Sequence, residues 1–365
     1  MANVDRGMWM KGSMYFSPPA DAIAGVRSDW IVYENGSTSE YITVVGYKGS
    51  KTAITVPDYI DTRYVRMYTN EQTSFLHTFY SPDFADVDNY QNCLNVTSIG
   101  ISKYVTGYSN QIENSFGNMF HGSTNLKTFT GNIPNGTSSI NNTFFDCYNL
   151  TGSIPNIPNS VTNMSGTFCS CYNLTGNIPS IPNSVVDMSS TFRGCSNLTG
   201  NIPNIPNSVT NMFYTFYNCS NLTGNIPNIP NSVVSMYQTF FNCTNLTGNI
   251  PNIPNSVTNM ASAFANCKNA SAPPARISSA VTNMHYAFDN CSKFNARTIY
   301  IYSSNVTAAN RCFYNTNTSS IKKVYIHYTY DNGTYTKTYN AFQTAGYVGT
   351  NTAQATAWNV SVLNF

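Results

Sequence analysis

Between residues 111 and 317 the apolar positions keep a period of 24. Phenylalanine recurs at Phe120, Phe144, Phe168, Phe192, Phe216, Phe240, Phe264 and Phe288, and one further step of 25 reaches Phe313. Cysteine follows three residues later, at Cys147, Cys171, Cys195, Cys219, Cys243, Cys267 and Cys291, with Ser123 and Thr316 in the equivalent places at the two ends. Met164 to Met284 and Leu126 to Leu246 form two further ladders on the same beat, the leucines continued by Ala270 and Phe294. Several ladders held in phase over eight turns predict a repeat solenoid, in which each coil buries its apolar face against copies of itself.

One unit, Asn197 to Ser220, reads NLTGNIPNIPNSVTNMFYTFYNCS. Val209, Met212, Phe216 and Cys219 fall at i, i+3, i+7 and i+10, which predicts a short helical arc with one buried face. The preceding Asn-Leu-Thr-Gly-Asn-Ile-Pro-Asn-Ile-Pro-Asn cannot be helical, because its two prolines remove amide donors and push their neighbours into extended geometry. Leu198, Ile202 and Ile205 are expected to point inward from that half, and the Gly of each LTG suits a turn after the helical arc. The expected class is therefore mixed α/β, with short strands and short helical arcs alternating. Coils stacked at about the spacing of neighbouring strands would make nine units a rod on the order of 40 Å long.

The IPNSVTNM run, the Phe four residues after each Met and the NCSNLTG run resemble the BspA-like leucine-rich repeats, in their NVTNM…F surface-protein variant. The resemblance covers residues 111–317, and SEYITVVGYKGSKTAITVPDYID, residues 39–61, resembles the divergent strand-rich opening of such arrays. The second Ile-Pro of each unit departs from the family, which more often carries a Leu-rich strand there. The resemblance implies a leucine-rich-repeat-like fold and a protein-interaction or adhesive role, and it brings no catalytic residues.

Four segments follow. Residues 1–38, with Trp9 and Trp30, are expected to attach or cap; 39–110 form a divergent β-rich start; 111–317 are the repeats; 318–365 are a C-terminal cap. Within the last, IKKVYIHYTYDNGTYTKTY alternates apolar and polar residues around an Asp-Asn-Gly turn, the signature of a β-hairpin.

Composition narrows the chemistry. Only 9% of the 365 residues are charged and the formal net charge is +2, which gives no basic stripe for nucleic acid and no polybasic membrane patch. The 51 asparagines fit ladders of amide side chains bonded along a stack, with little need for charge. No apolar run is long enough for a membrane-spanning helix. The opening stretch has no uninterrupted apolar segment of leader type, since Lys11 and Gly12 break Met8–Met14.

The ladder cysteines are read as small buried thiols. Neighbouring coils would bring them about 5 Å apart, so disulfides between coils remain open, whereas zinc requires closer pairs than 24-residue spacing supplies. No cofactor or metal is expected. The four histidines, His77, His121, His285 and His327, are scattered, and between Leu150 and Met260 the only charged residues are Asp187 and Arg193. No paired carboxylates, nucleophile elbow or phosphate loop appears there. The acidic stretches DYIDTRY and SPDFADVD match no complete calcium loop. Asn-x-Ser/Thr sequons such as those at Asn149, Asn173 and Asn197 arise because the repeat contains NLT.

The informative positions are those the repeat does not keep: the two residues after each Met and the one after each Phe. Phe213, Tyr214, Tyr217, Tyr237, Gln238 and Phe241 cluster there in two adjacent coils, and exposed aromatics beside amides suit sugar rings or a protein partner. The expected function is non-enzymatic: a structural and binding repeat protein on a surface, most readily a phage fibre or capsid decoration adhering to a host glycan or protein and joined to other virion or surface proteins through its N-terminal segment. Two alternatives stand beside it, a bacterial cell-surface adhesin and a carbohydrate-active enzyme with its site in the flanks, for which Asp83, Asp86 and Asp88 are the candidates.

Overall fold

The computed structural model describes residues 22, 24–33, 41–47, 51–60, 63–69, 96–101, 105–109, 112–113, 115–294, 298–303, 306–316, 322–328 and 358–364. Its centre is a stack of coils, each displaced from the last by 24 residues. Parallel bridges join Ser139, Asn163, Asp187, Asn211, Ser235, Asn259 and Asn283 in succession, and a second line of bridges runs from Gly152↔Leu174 to Asn249↔Ala272. The Leu-Thr-Gly corner carries a backbone ladder: the amides of Thr175, Thr199, Thr223 and Thr247 donate to the carbonyls of Gly152, Gly176, Gly200 and Gly224 at 2.8–2.9 Å. These glycines have positive φ, for instance 74° at Gly200. A Cβ there would collide with the Asn177 side chain, so the position belongs to glycine on two counts.

The column inside the coils is continuous. Phe144, Phe168, Phe192, Phe216, Phe240, Phe264 and Phe288 are fully buried, as are Cys147, Cys171, Cys195, Cys219, Cys243, Cys267 and Cys291. From Phe144 to Phe288 each ring lies 5.4–5.9 Å from the next and within 12° of parallel. Leu198, Ile202 and Ile205 close the opposite side of their coil, also buried.

The expected helical arcs are not present. Among the described residues the one helix is a 3-10 turn, Arg27–Asp29, and each Met-to-Cys segment is a run of tight turns. Two residues per coil force this, one two before and one two after each Phe, both in the left-handed region: Tyr214 at 57° and Asn218 at 59° flank Phe216. An α-helix needs an unbroken run of right-handed residues, and here none exceeds three. Hydrogen bonding alternates accordingly. The amides of Thr215, Tyr217 and Cys219 donate three residues back within the coil, whereas those of Tyr214, Phe216 and Asn218 donate to Tyr237, Thr239 and Phe241 of the next.

Toward both ends the coils pass into true sheets, all parallel except the outer N-terminal one, where β2/β3, β5/β6 and β8/β9 pair antiparallel. In chain order the strands are β1 (Ala24–Gly25), β2 (Trp30–Tyr33), β3 (Tyr41–Tyr47), β4 (Ala53–Val56), β5 (Tyr59–Ile60), β6 (Arg63–Thr69), β7 (Ser98–Ile101), β8 (Thr106–Ser109), β9 (Ile112–Glu113), β10 (Thr128–Gly131), β11 (Arg276–Ile277), β12 (Thr298–Ile301), β13 (Lys322–Tyr328) and β14 (Trp358–Asn364). Strands β4, β7 and β10 pair in parallel and lead into the Leu-Thr-Gly ladder. A second N-terminal sheet runs β1-β5-β6-β3-β2, with β8 and β9 attached through β6.

At the C-terminus β11, β12, β13 and β14 form one parallel sheet. This corrects the expected hairpin. Strand β13 has β12 on one side and β14 on the other, so neither edge is left for an antiparallel arm in that sheet; the Asp-Asn-Gly turn itself lies outside the described residues.

Candidate binding face

The turn arc has an inner and an outer set of side chains. Inward lie Thr215, Phe216 and Cys219 and their counterparts. The threonines Thr143, Thr167, Thr191, Thr215 and Thr239 are fully buried, and each hydroxyl donates to a carbonyl of the preceding coil, as Thr215 Oγ1 does to Met188 at 2.9 Å. Each ladder thiol does the same, Cys219 Sγ lying 3.0 Å from the Phe192 carbonyl. Nine cysteines are free among the described residues. Burial pushes the ladder thiols from Cys147 to Cys267 up, Cys267 to about 12. The threonine ladder was visible in the 24-residue period but is not among the residues that sequence reasoning singled out.

Outward lie the positions that vary. The structure brings Phe213, Tyr214, Tyr217, Tyr237, Gln238 and Phe241 onto one face of two adjacent coils. Phe213 is 38% exposed; the other five are half-buried. Phe213 stacks on Tyr237 at 5.3 Å and Tyr217 on Phe241 at 4.8 Å. Tyr214 meets Phe213, Tyr217 and Tyr237 edge-on. Burial, then a hydrogen bond to Tyr237, pushes the Tyr214 phenol above its ordinary value, opposed by the charge of Arg193. Below the rings, Asn242 Nδ2 donates to Asn218 Oδ1 at 3.1 Å, one rung of the expected amide ladder.

Four further features of this face were not singled out as binding residues. The Arg193 guanidinium lies 4.7 Å from the Tyr214 ring centre and 5.4 Å from that of Tyr217. Tyr148 and Tyr172, both exposed, stack at 5.6 Å two to three coils earlier. Past the patch comes a coil of small residues, Ala261, Ser262 and Ala265, all buried despite their outward positions. Beyond it Arg311 sits over Tyr286 and Tyr314 and pairs with Asp289 at 3.1 Å. Burial raises the Asp289 carboxyl, with Arg311 opposing.

Backbone strain falls on the same face. The left-handed residue two after each Phe is Gly122, Asp146, Ser170, Gly194, Asn218, Asn242, Asn266, Asn290 or Asn315, mostly types that tolerate that conformation. The one two before Phe is Asn118, Asn142 and Gly166 in the first coils and small Ser190 and Ser262 in two others, but Tyr214, Gln238, Tyr286 and Arg311 in the rest, types that do not.

A family described as "Mycoplasma protein of unknown function, DUF285" matches residues 138–253 and 234–358. The chain belongs to this DUF285 family. The two matches overlap between residues 234 and 253, inside the regular coils, and the second runs on into β14. A T. pallidum leucine rich repeat protein of known crystal structure is similar over 66% of this chain and 87% of its own, at 19% identity and a TM-score of 0.39. No curated protein matches. Among the described residues no His/Cys/Asp/Glu group is arranged to hold a metal ion, and no helix is long and apolar enough to cross a membrane. Trp9 and the carboxylates Asp83, Asp86 and Asp88 lie outside the described residues.

Proposed function

We propose that this DUF285 protein is a non-enzymatic structural and binding repeat module, a BspA-like leucine-rich-repeat solenoid displayed on a surface. Its aromatic face around Phe213, Tyr214, Tyr217, Tyr237, Gln238 and Phe241 recognises a cell-surface glycan or protein. The observation that carries this reading is the placement of Tyr214 and Gln238 in left-handed backbone. Asparagine serves at that position in the early coils, and a bulky residue costs about 1–2 kcal/mol there. Strain kept at a solvent-facing aromatic cluster marks a side chain retained for contact rather than for folding.

The surface is that of a virion, as a fibre or capsid decoration, with the bacterial cell surface as the alternative setting; both use the same face. Replacing Tyr214, Tyr217 and Tyr237 by Ser tests the reading: attachment to intact cells is expected to fall at least tenfold while the circular dichroism spectrum is kept. Undiminished attachment by a folded variant removes the patch as the recognition surface. An antibody against residues 318–365, imaged on particles and on cells, separates the two settings.

A further inference from the structure

We propose that the aromatic face takes an anionic saccharide, with a sugar ring against the rings of Phe213, Tyr217 and Phe241 and a carboxylate on Arg193. The inference rests on the reading of this face as the binding site and adds the charge of what it binds. Arg193 is exposed, and its guanidinium lies against two phenol rings, 4.7 Å and 5.4 Å from their centres. Rings on one side fix the guanidinium plane and leave its fork of donors free for a planar carboxylate.

The charge is not neutralised within the patch. Among the described residues no carboxylate pairs with Arg193. The other charged residue between Leu150 and Met260, Asp187, already accepts the Ser189 amide in its own coil at 2.8 Å. Arg311 supplies the internal contrast: it too lies over two aromatic rings, but Asp289 pairs with it. The protein thus builds an arginine on aromatic rings twice along one face and supplies a counter-charge once. At Arg193 the missing anion is the ligand's to bring.

A saccharide suits the remainder of the surface. Stacked rings offer flat apolar area to the C–H face of a sugar. The Asn242–Asn218 bond leaves the Asn218 amide hydrogens and the Asn242 carbonyl for hydroxyl groups, and Gln238 adds another donor and acceptor.

The test uses the full-length protein and one matched pair of probes, an immobilised uronic-acid oligosaccharide and its neutral methyl ester, with a sulfated oligosaccharide as a third arm. The wild type is expected to bind the free acid at least tenfold more tightly than the ester at low salt. Arg193→Gln is expected to bring acid and ester to the same affinity, the Tyr214/Tyr217/Tyr237→Ser variant to lose both, and Arg311→Gln to keep the preference. Equal wild-type binding of acid and ester that still needs the three tyrosines overturns the anionic inference and leaves the binding face standing. Preference for the sulfated probe over the uronic acid overturns the carboxylate. Failure of the wild type to bind any of the three, with cell attachment still dependent on the tyrosines, overturns the saccharide and points to a protein partner.

Discussion

Phe216 and Phe213 lie three residues apart on one turn arc and obey opposite rules. The inward ring is the same residue in every coil, stacked between copies of itself at 5.7 and 5.5 Å. The outward ring stands where neighbouring coils carry Ser189, Tyr237, Ala261 or His285. An inward side chain must fit the coil above and the coil below at once, so any change is felt twice and identity is the simplest solution. An outward side chain answers to solvent or a partner and is free to differ. The repeat records packing, and the departures from it record function.

The largest effect that sharpens this contrast acts on the inner set alone. Burial holds the six thiols Cys147, Cys171, Cys195, Cys219, Cys243 and Cys267 above the ordinary value of 9.0. As pH climbs past 9 the unfolded chain sheds these protons while the folded one keeps them. Stability present below that point is therefore lost, at about 1.4 kcal/mol per pH unit for each thiol. Denaturant unfolding in reductant between pH 8 and 10 is expected to show a steep decline that Cys195→Ala and Cys219→Ala make shallower; an unchanged slope in both breaks the buried-thiol assignment.

Next in size, Phe216→Ala is expected to cost about 3–5 kcal/mol through a cavity in the column, whereas Phe213→Ala on the outer set stays within about 1 kcal/mol. Equal losses in thermal unfolding erase the distinction between the two sets. Thr215→Val removes a buried hydroxyl bonded to the Met188 carbonyl and is expected to cost about 1–2 kcal/mol with no change in cell attachment. The smallest effect has the opposite sign. Gln238→Gly relieves left-handed strain and is expected to gain about 0.5–1 kcal/mol while weakening attachment; a loss of stability there removes the strain argument.

The 24-residue register, the inward Phe, Cys, Leu and Ile ladders and the outward aromatic cluster were all legible in the sequence, because stacking forces in-register copies. The conformation of the turn arc was not. Residues at i, i+3, i+7 and i+10 face one way on a helix, but they also do so on successive tight turns bonded three residues back. The distinguishing signal was Gly122, Asp146, Gly194, Asn218, Asn242, Asn266, Asn290 and Asn315, residues suited to left-handed backbone two places after every ladder Phe but Phe168. The C-terminal sheet was misread for a related reason. Alternation at residues 322–328 identifies a strand but not its neighbours, and a long parallel connection leaves no local mark. Strands extend there because the prolines stop: the regular coils carry two each and form isolated bridges, while β12, β13 and β14 carry none. Arg193 showed itself only as one of two charges between Leu150 and Met260 and as a residue following a ladder Phe, since its significance lies in two rings of the next coil and the absence of a paired carboxylate.

The stack itself is tested most directly by a cross-link between coils. Ser165 and Ser189 are 24 residues apart with their hydroxyl oxygens 2.8 Å from each other. In a Cys169→Ala background, Ser165→Cys with Ser189→Cys is expected to form a disulfide under mild oxidation of the native protein, and Ser165→Cys with Phe213→Cys, two coils apart, is not. Equal cross-linking of the two pairs, or none by the folded Ser165/Ser189 variant, contradicts the one-coil register.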